Sequence, residues 1–244
     1  MVPSLQDFAA LFVRFRKGLT YLGIYILIVS VIAFPFTGPV IMEMNNSLLK
    51  GANVSYDLVQ TQPLETMMLQ LKLSFVVGFI AALPIIYFYA YKFLAGKQFG
   101  SRFKVNGPML LLATVVALVL FLAGCAYAYF WMLPLVFKYL LESSWSIGVR
   151  NTWKVSDFVN FALMTTFTFG LVFELPLAMT ILARARIVPA SVFKKYRRHM
   201  YIVILIVAAL VTSPDILTQI MVGVPLIVFY EASLLILRFT APEA

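Results

Sequence analysis

Hydrophobic residues along this chain gather into six runs, separated by segments where polar and charged residues concentrate. The runs are Gly18–Phe36, Met67–Tyr91, Met109–Pro134, Asp157–Ala185, Met200–Ser213 and Ile216–Leu237. Crossing the hydrocarbon core of a bilayer takes about 20 helical residues, with a range of about 17–25. All but the fifth run meet that length. The fifth has fourteen residues, which rise only about 21 Å as a helix, against a core about 30 Å thick. It runs into Thr212-Ser213-Pro214-Asp215, where a proline and a helix-starting aspartate signal a turn. The pattern predicts a tight hairpin whose tip is drawn into the membrane, with local thinning. The alternative is one re-entrant element, which would leave five spans.

Composition agrees with the pattern. Of 244 residues, 62% are hydrophobic and only 12% charged, and the mean hydropathy is +0.95. Soluble domains carry about 25% charged residues, so a water-facing surface cannot be built from this chain. The expectation is an all-α integral membrane protein, one transmembrane domain over residues 1–244. The net charge of +9 is sorted by side. Fourteen Lys and Arg lie in the N-terminal arm, the second–third loop, the fourth–fifth loop and the C-terminal end, against four in the two opposite loops. The positive-inside rule then places both termini in the cytoplasm. Topology and attraction to anionic lipid heads account for the basic surface, and no nucleic-acid partner is implied. Asn45-Asn46-Ser47 and Asn53-Val54-Ser55 in the first external loop are glycosylation sequons, a triplet common by chance. The two external loops, Thr37–Thr66 and Leu135–Ser156, read as polar connections. Trp145 and Trp153 in the second fit an interfacial aromatic belt.

Chemistry of the bond-breaking kind has no support. Cys125 and His199 are each the only residue of their type, and no phosphate loop, nucleophile elbow or metal cluster can be found. No cofactor is expected. Pro84, Pro176 and Pro225 lie inside spans two, four and six, where a proline frees a carbonyl and bends a helix. The absence of an internal repeat counts against an inverted-repeat transporter.

Polar residues inside the spans carry the remaining information. Lys72, about a turn and a half into span two, can snorkel outward or pair with Glu65 seven residues earlier on nearly the same face. Asp215 is placed to cap span six. Gln219, Gly223 and Tyr230 form one stripe, suited to helix packing or to a partner. Glu231 can reach the inner interface or a base of the fourth–fifth loop. Glu174, followed by Leu175-Pro176 in mid-span four, is different, because no intramembrane base is available to it. A carboxylate at that depth costs a few kcal/mol or more. It is read either as a neutral structural acid or as a group facing a water-lined concavity that receives something polar.

In order along the chain come Thr61-Gln62-Pro63-Leu64-Glu65, Lys72, Ala82-Leu83-Pro84, Phe169-Gly170-Leu171-Val172-Phe173-Glu174-Leu175-Pro176, Thr212-Ser213-Pro214-Asp215 with Gln219, Pro225 and Phe229-Tyr230-Glu231. In order and spacing these pieces resemble TatC, the polytopic receptor subunit of the twin-arginine protein translocase, over nearly the whole chain. The resemblance implies a curved, glove-shaped bundle of six helices with short fifth and sixth spans. It implies recognition of twin-arginine signal peptides on folded cargo, assembly with small single-span subunits of the TatA/TatB kind, and export across the cytoplasmic membrane driven by the proton-motive force. A homo-oligomer is compatible with it. Glu174 would be the carboxylate of the concave face, Phe93 part of the signal-contact region of the first cytoplasmic loop, and Gln219 and Glu231 polar positions of the last span.

Two positions depart from the family pattern. Arg14-Phe15-Arg16 keeps the arginine pair of the arm, but its glutamate position holds Phe12. By spacing from Phe93 and Pro108, the second acidic position falls on Arg102. Both carboxylates expected to grip the signal's arginines are thus missing, and charge-assisted contacts to a guanidinium are among the stronger polar ones. Asp7 is the one nearby acid, able to substitute if the arm folds back. The alternative function is a small-solute or proton-coupled transporter that titrates Glu174.

Overall fold

Each apolar run has become helix, because a backbone in lipid must satisfy its own hydrogen bonds. The computed structural model describes residues 5–48, 56–94, 107–146, 151–184, 187–212 and 215–240; for 5–17 and 90–94, among others, only the backbone is described. Helix α1 (Leu5–Ala33) passes through a 3₁₀ turn at Phe34–Phe36 into α2 (Thr37–Leu48). The turn carries Pro35 at its start, and the Thr37 hydroxyl donates to the Phe34 carbonyl at 2.7 Å. Span two is α3 (Glu65–Leu94). Span three is α4 (Gly107–Tyr127), which runs through a π-helical turn at Ala128–Met132 into α5 (Leu133–Ser146). Span four is α6 (Val155–Phe173) followed by α7 (Leu175–Arg184). A short α8 (Ala190–Lys195) begins after Pro189, then come α9 (Arg197–Val211) and α10 (Ile216–Thr240).

Five stretches are long and apolar enough to cross a membrane: Gly18–Met44, Glu65–Tyr89, Leu111–Ser144, Val155–Arg184 and Ile216–Thr240. The remaining segment, α9, has 15 residues and rises about 22 Å, the short fifth element that the hydropathy pattern predicts. The sixth is not short. At 25 residues, α10 corrects the expectation drawn from the family resemblance and agrees with the length of its apolar run. Large apolar side chains cover the outside, with Val31, Leu111, Leu210 and Phe239 all more than two-thirds exposed. Water would not tolerate such a surface, whereas lipid is its natural solvent.

The segments that follow spans one and three are more ordered than their polarity predicts. The first is helical through Leu48, and the second is helical through Ser146. Beyond these helices, β1 (Tyr56–Val59) pairs in parallel with β2 (Asn151–Lys154), from Tyr56↔Asn151 to Val59↔Lys154. The pair is a small addition to an otherwise helical chain. Parallel strands need a long crossover, here supplied by two spans, so neither strand has a partner until the bundle forms. Trp153 packs its ring against Phe137 and Phe158, at centroid distances of 5.7 and 6.2 Å. It is a packing residue between α5 and α6.

Two apolar cores stack along the bundle. One joins α2, α3, α5 and α6 through Ile41, Met44, Leu69, Leu73, Phe137 and Phe158. The other joins the π turn, α6, α7, α9 and α10 through Met132, Phe169, Met179, Ile204, Val222 and Tyr230. Helix α6 belongs to both. It approaches α4 very closely: a Cβ on Gly124 would lie 2.5 Å from the Phe169 carbonyl oxygen and 2.9 Å from the Gly170 Cα. In lipid, where apolar surface gains nothing by leaving the solvent, such small-residue contacts supply much of the association.

Candidate functional site

Span four breaks at Glu174. Pro176 has no N–H to offer the Val172 carbonyl, and the Glu174 N–H turns back to Leu171 and Val172 instead. The Glu174 carbonyl accepts from Ala178 at 2.9 Å, so the chain re-enters helix at once. The bend expected from Pro176 is therefore a break between α6 and α7, while α3 and α10 continue as single helices through Pro84 and Pro225.

The Glu174 side chain is buried, with the residue 6% exposed. Neither carboxylate oxygen has a hydrogen-bond partner among the described residues. The Tyr87 phenol of α3 faces it closely enough to interact electrostatically, but outside hydrogen-bonding geometry. On the same helix end, Phe169 and Phe173 are held by Tyr127 and Phe229, with Phe173 and Phe229 centroids only 4.1 Å apart. Both carboxylate oxygens of Glu174 are shielded from solvent. An apolar cleft of about 300 Å³ lies between α2, the π turn and α6, lined by Val40, Glu43, Met44, Tyr129, Leu163 and Thr166, and Glu174 is not part of it. Aromatic rings and the tight α4–α6 crossing fill the interior around the break. An unpaired polar group in such a place is costly.

The buried Thr165 and Thr166 hydroxyls of α6 also have no partner among the described residues, whereas the other polar residues that the sequence singles out are satisfied within the fold. Gln219 donates to the Leu205 carbonyl at 3.1 Å, Gly223 faces Leu205, and the Tyr230 hydroxyl donates to the Phe193 carbonyl at 3.0 Å. The stripe on α10 is thus a packing face for α8 and α9. Glu231 accepts from Arg197 at 2.7 Å and from the Tyr201 hydroxyl, so of its two expected positions it takes the one beside a base of the fourth–fifth loop. Asp215 accepts from the Thr218 N–H at 3.1 Å and caps α10.

Lys72 does not pair with Glu65. It donates to the Asn160 amide oxygen of α6 at 3.2 Å. Glu65 is occupied elsewhere: one oxygen accepts from the Thr61 N–H and hydroxyl and the Gln62 N–H, and the other from the Ser156 N–H at 2.8 Å. A single carboxylate thereby fastens the start of α3 to the start of α6. Charged hydrogen bonds contribute about 1.5–3 kcal/mol, and Glu65→Gln should lower stability by that order. Faster amide exchange at Ser156 than in wild type is the expected signature; unchanged exchange would show that the contact carries no load.

Asp7, Arg14 and Arg16 lie on α1, which runs unbroken from Leu5. On that helix Asp7 stands about two turns before Arg14. Phe93 is the penultimate residue of α3. The side chains of these four, and the whole of Arg102, lie outside the described residues. Sequence reasoning missed Tyr87, Asn160 and Ser156, each of which acquires its role from a partner far away in the chain.

These features define a class: a polytopic α-helical membrane protein whose fourth span is interrupted at a buried, unpaired carboxylate. The model of the family "Sec-independent protein translocase protein (TatC)" matches residues 11–225, and the chain belongs to that family. It is 32% identical over 233 residues to the Sec-independent protein translocase protein TatCt of Haloferax volcanii, covering 96% of this chain. The match spans about a third of that longer relative, 32% of its length. It is 28% identical to TatCy of Bacillus subtilis, covering 91% of this chain and 84% of the relative. A crystal structure of the twin-arginine translocase receptor TatC superposes with a TM-score of 0.81 at 26% identity, covering 93% of this chain and 97% of that one. The chain is a multi-pass membrane member of a protein translocase family, and no enzymatic family is indicated.

Proposed function

We propose that this chain is the receptor subunit of a twin-arginine translocase. It sits in the cytoplasmic membrane with both termini inside and binds twin-arginine signal peptides. With small single-span subunits of the TatA/TatB kind, it exports folded proteins at the expense of the proton-motive force. The observation that carries this reading is the buried, unpaired Glu174 at the break of span four, in a fold similar to the TatC receptor throughout. A protein retains such a costly group when a partner will use it. The acid is nearly closed off in the isolated chain, so in this reading binding parts the aromatic rings around it, and the carboxylate then meets a polar group of signal or subunit.

The signal's arginine pair is received on the inner surface, near Phe93 and the arm. Phe12 and Arg102 supply no carboxylate there, so Asp7 on α1 is the acid of that surface able to contact a guanidinium. Binding should be weaker than with two acids and more sensitive to salt. Photo-crosslinking a labelled twin-arginine signal to probes at Asp7, Phe93 and Arg102 tests the reading. Adducts at these positions that vanish when the signal's arginines become lysines are expected. Labelling elsewhere with none at the three would refute it.

A further inference from the structure

Lys72 is a cation inside a spanning helix whose hydrogen-bond partner is a neutral amide. Only two ion pairs form among the described residues, Lys138–Glu142 and Arg197–Glu231, and Lys72 is in neither. The acid on its own helix face, Glu65, already accepts four hydrogen bonds. An ammonium group can only donate, so its contact with Asn160 fixes the amide orientation, with the oxygen toward Lys72 and the NH₂ group turned away. Among the described residues, Lys72 and Asn160 therefore present several N–H donors without an anion to receive them. Around them, Met68, Leu71 and Phe75 of α3 and Met164 of α6 are exposed and apolar. Asp157, exposed on α6, is three residues before Asn160, a Cβ separation of about 5–6 Å, toward the outer end of the helix.

We infer that Lys72 and Asn160 bind the phosphate of a membrane phospholipid between α3 and α6. Phe75 and Met164, about a turn deeper on the two helices, take its acyl chains, and Asp157 faces the amine of an ethanolamine headgroup. Free phosphate offers the same anion but nothing for Phe75 and Met164 to cover. The site lies at the opposite end of α3 from Phe93 and is independent of the receptor reading. Charge, depth and apolar flanks all favour the lipid: a lysine at hydrocarbon depth snorkels toward headgroups, and a phosphodiester there completes its coordination.

The test is thermal unfolding of detergent-solubilised protein with phosphatidylethanolamine, with diacylglycerol of the same chains, or with inorganic phosphate. Phosphatidylethanolamine should raise the wild-type midpoint by several degrees more than diacylglycerol, and phosphate should not. Lys72→Arg should keep this difference and Lys72→Gln should lose it. Asn160→Asp guards against misfolding of the glutamine variant, because it supplies the missing anion within the chain. That variant should be at least as stable as wild type without lipid and indifferent to its addition. A full phosphatidylethanolamine effect in Lys72→Gln and Asn160→Asp would overturn the site. Equal protection of wild type by inorganic phosphate would overturn the lipid as its occupant.

Discussion

Replacing Glu174 by alanine is expected to abolish export of a twin-arginine cargo while the protein inserts and accumulates as before. Structural importance and functional importance make opposite forecasts at this residue. Its carboxylate is buried without a hydrogen bond, with only the Tyr87 phenol near it, so in the resting chain its desolvation cost is poorly offset. Removing it should leave the thermal midpoint unchanged or raised, with the small cavity from the lost methylenes partly offsetting the gain. Under the proposed function, what disappears is a contact made only when a partner arrives. A charged hydrogen bond contributes about 1.5–3 kcal/mol, or roughly ten- to hundredfold in affinity. Glu174→Gln keeps the shape and some hydrogen bonding and should retain a fraction of activity. Export measured beside unfolding in the same variants decides the matter. Normal export by a stable alanine variant would make Glu174 a tolerated internal acid, and a stability collapse without the acid would make it structural. Uptake of a small solute by vesicles holding this chain alone would instead favour a transporter.

The largest effect on folding is expected at Gly124. A methyl group there would stand 2.5 Å from the Phe169 carbonyl oxygen and 2.9 Å from the Gly170 Cα and the Phe169 carbonyl carbon. These are backbone atoms, so no side chain can rotate aside, and α4 and α6 must separate. Overpacking in a close-packed interior costs about 1–3 kcal/mol or more. Separation would also loosen the Phe121, Phe169 and Tyr127 contacts that surround the break. Gly124→Ala should therefore lower the midpoint by many degrees, and Gly124→Val should prevent accumulation in the membrane. Gly23 is the control, since a Cβ there meets nothing within 4 Å. Gly23→Ala should be neutral or slightly stabilising, because alanine is the better helix former. Equal tolerance at both positions would mean that the α4–α6 crossing does not hold the bundle together.

Much of the architecture is legible without coordinates because lipid imposes a one-dimensional rule: an apolar run of sufficient length becomes a helix. The six segments, the short fifth and the cap at Asp215 follow from that rule and from local turn chemistry. The break at Pro176 is local too, as the missing N–H is written in the sequence. Pairings are different. Glu65 chose the Ser156 N–H over Lys72, and Lys72 chose Asn160, because α6 comes to rest beside α3. The two paired strands escaped notice for the same reason: four residues with no period of their own become β structure only when the partner strand is delivered.

The candidate site divides along the same line. The amino-acid sequence alone singled out Glu174, since the cost of a carboxylate at that depth depends only on the solvent around its span. Whether the acid stands open or closed depends on what packs against it. Tyr87, Phe169, Phe173 and Tyr127 come from three helices, and the glycine contact between α4 and α6 sets how tightly they converge. Transfer of each residue from water to lipid is nearly additive along the chain and can be read there. Side-chain packing and hydrogen-bond choice are competitions among distant residues, and only the assembled bundle settles them.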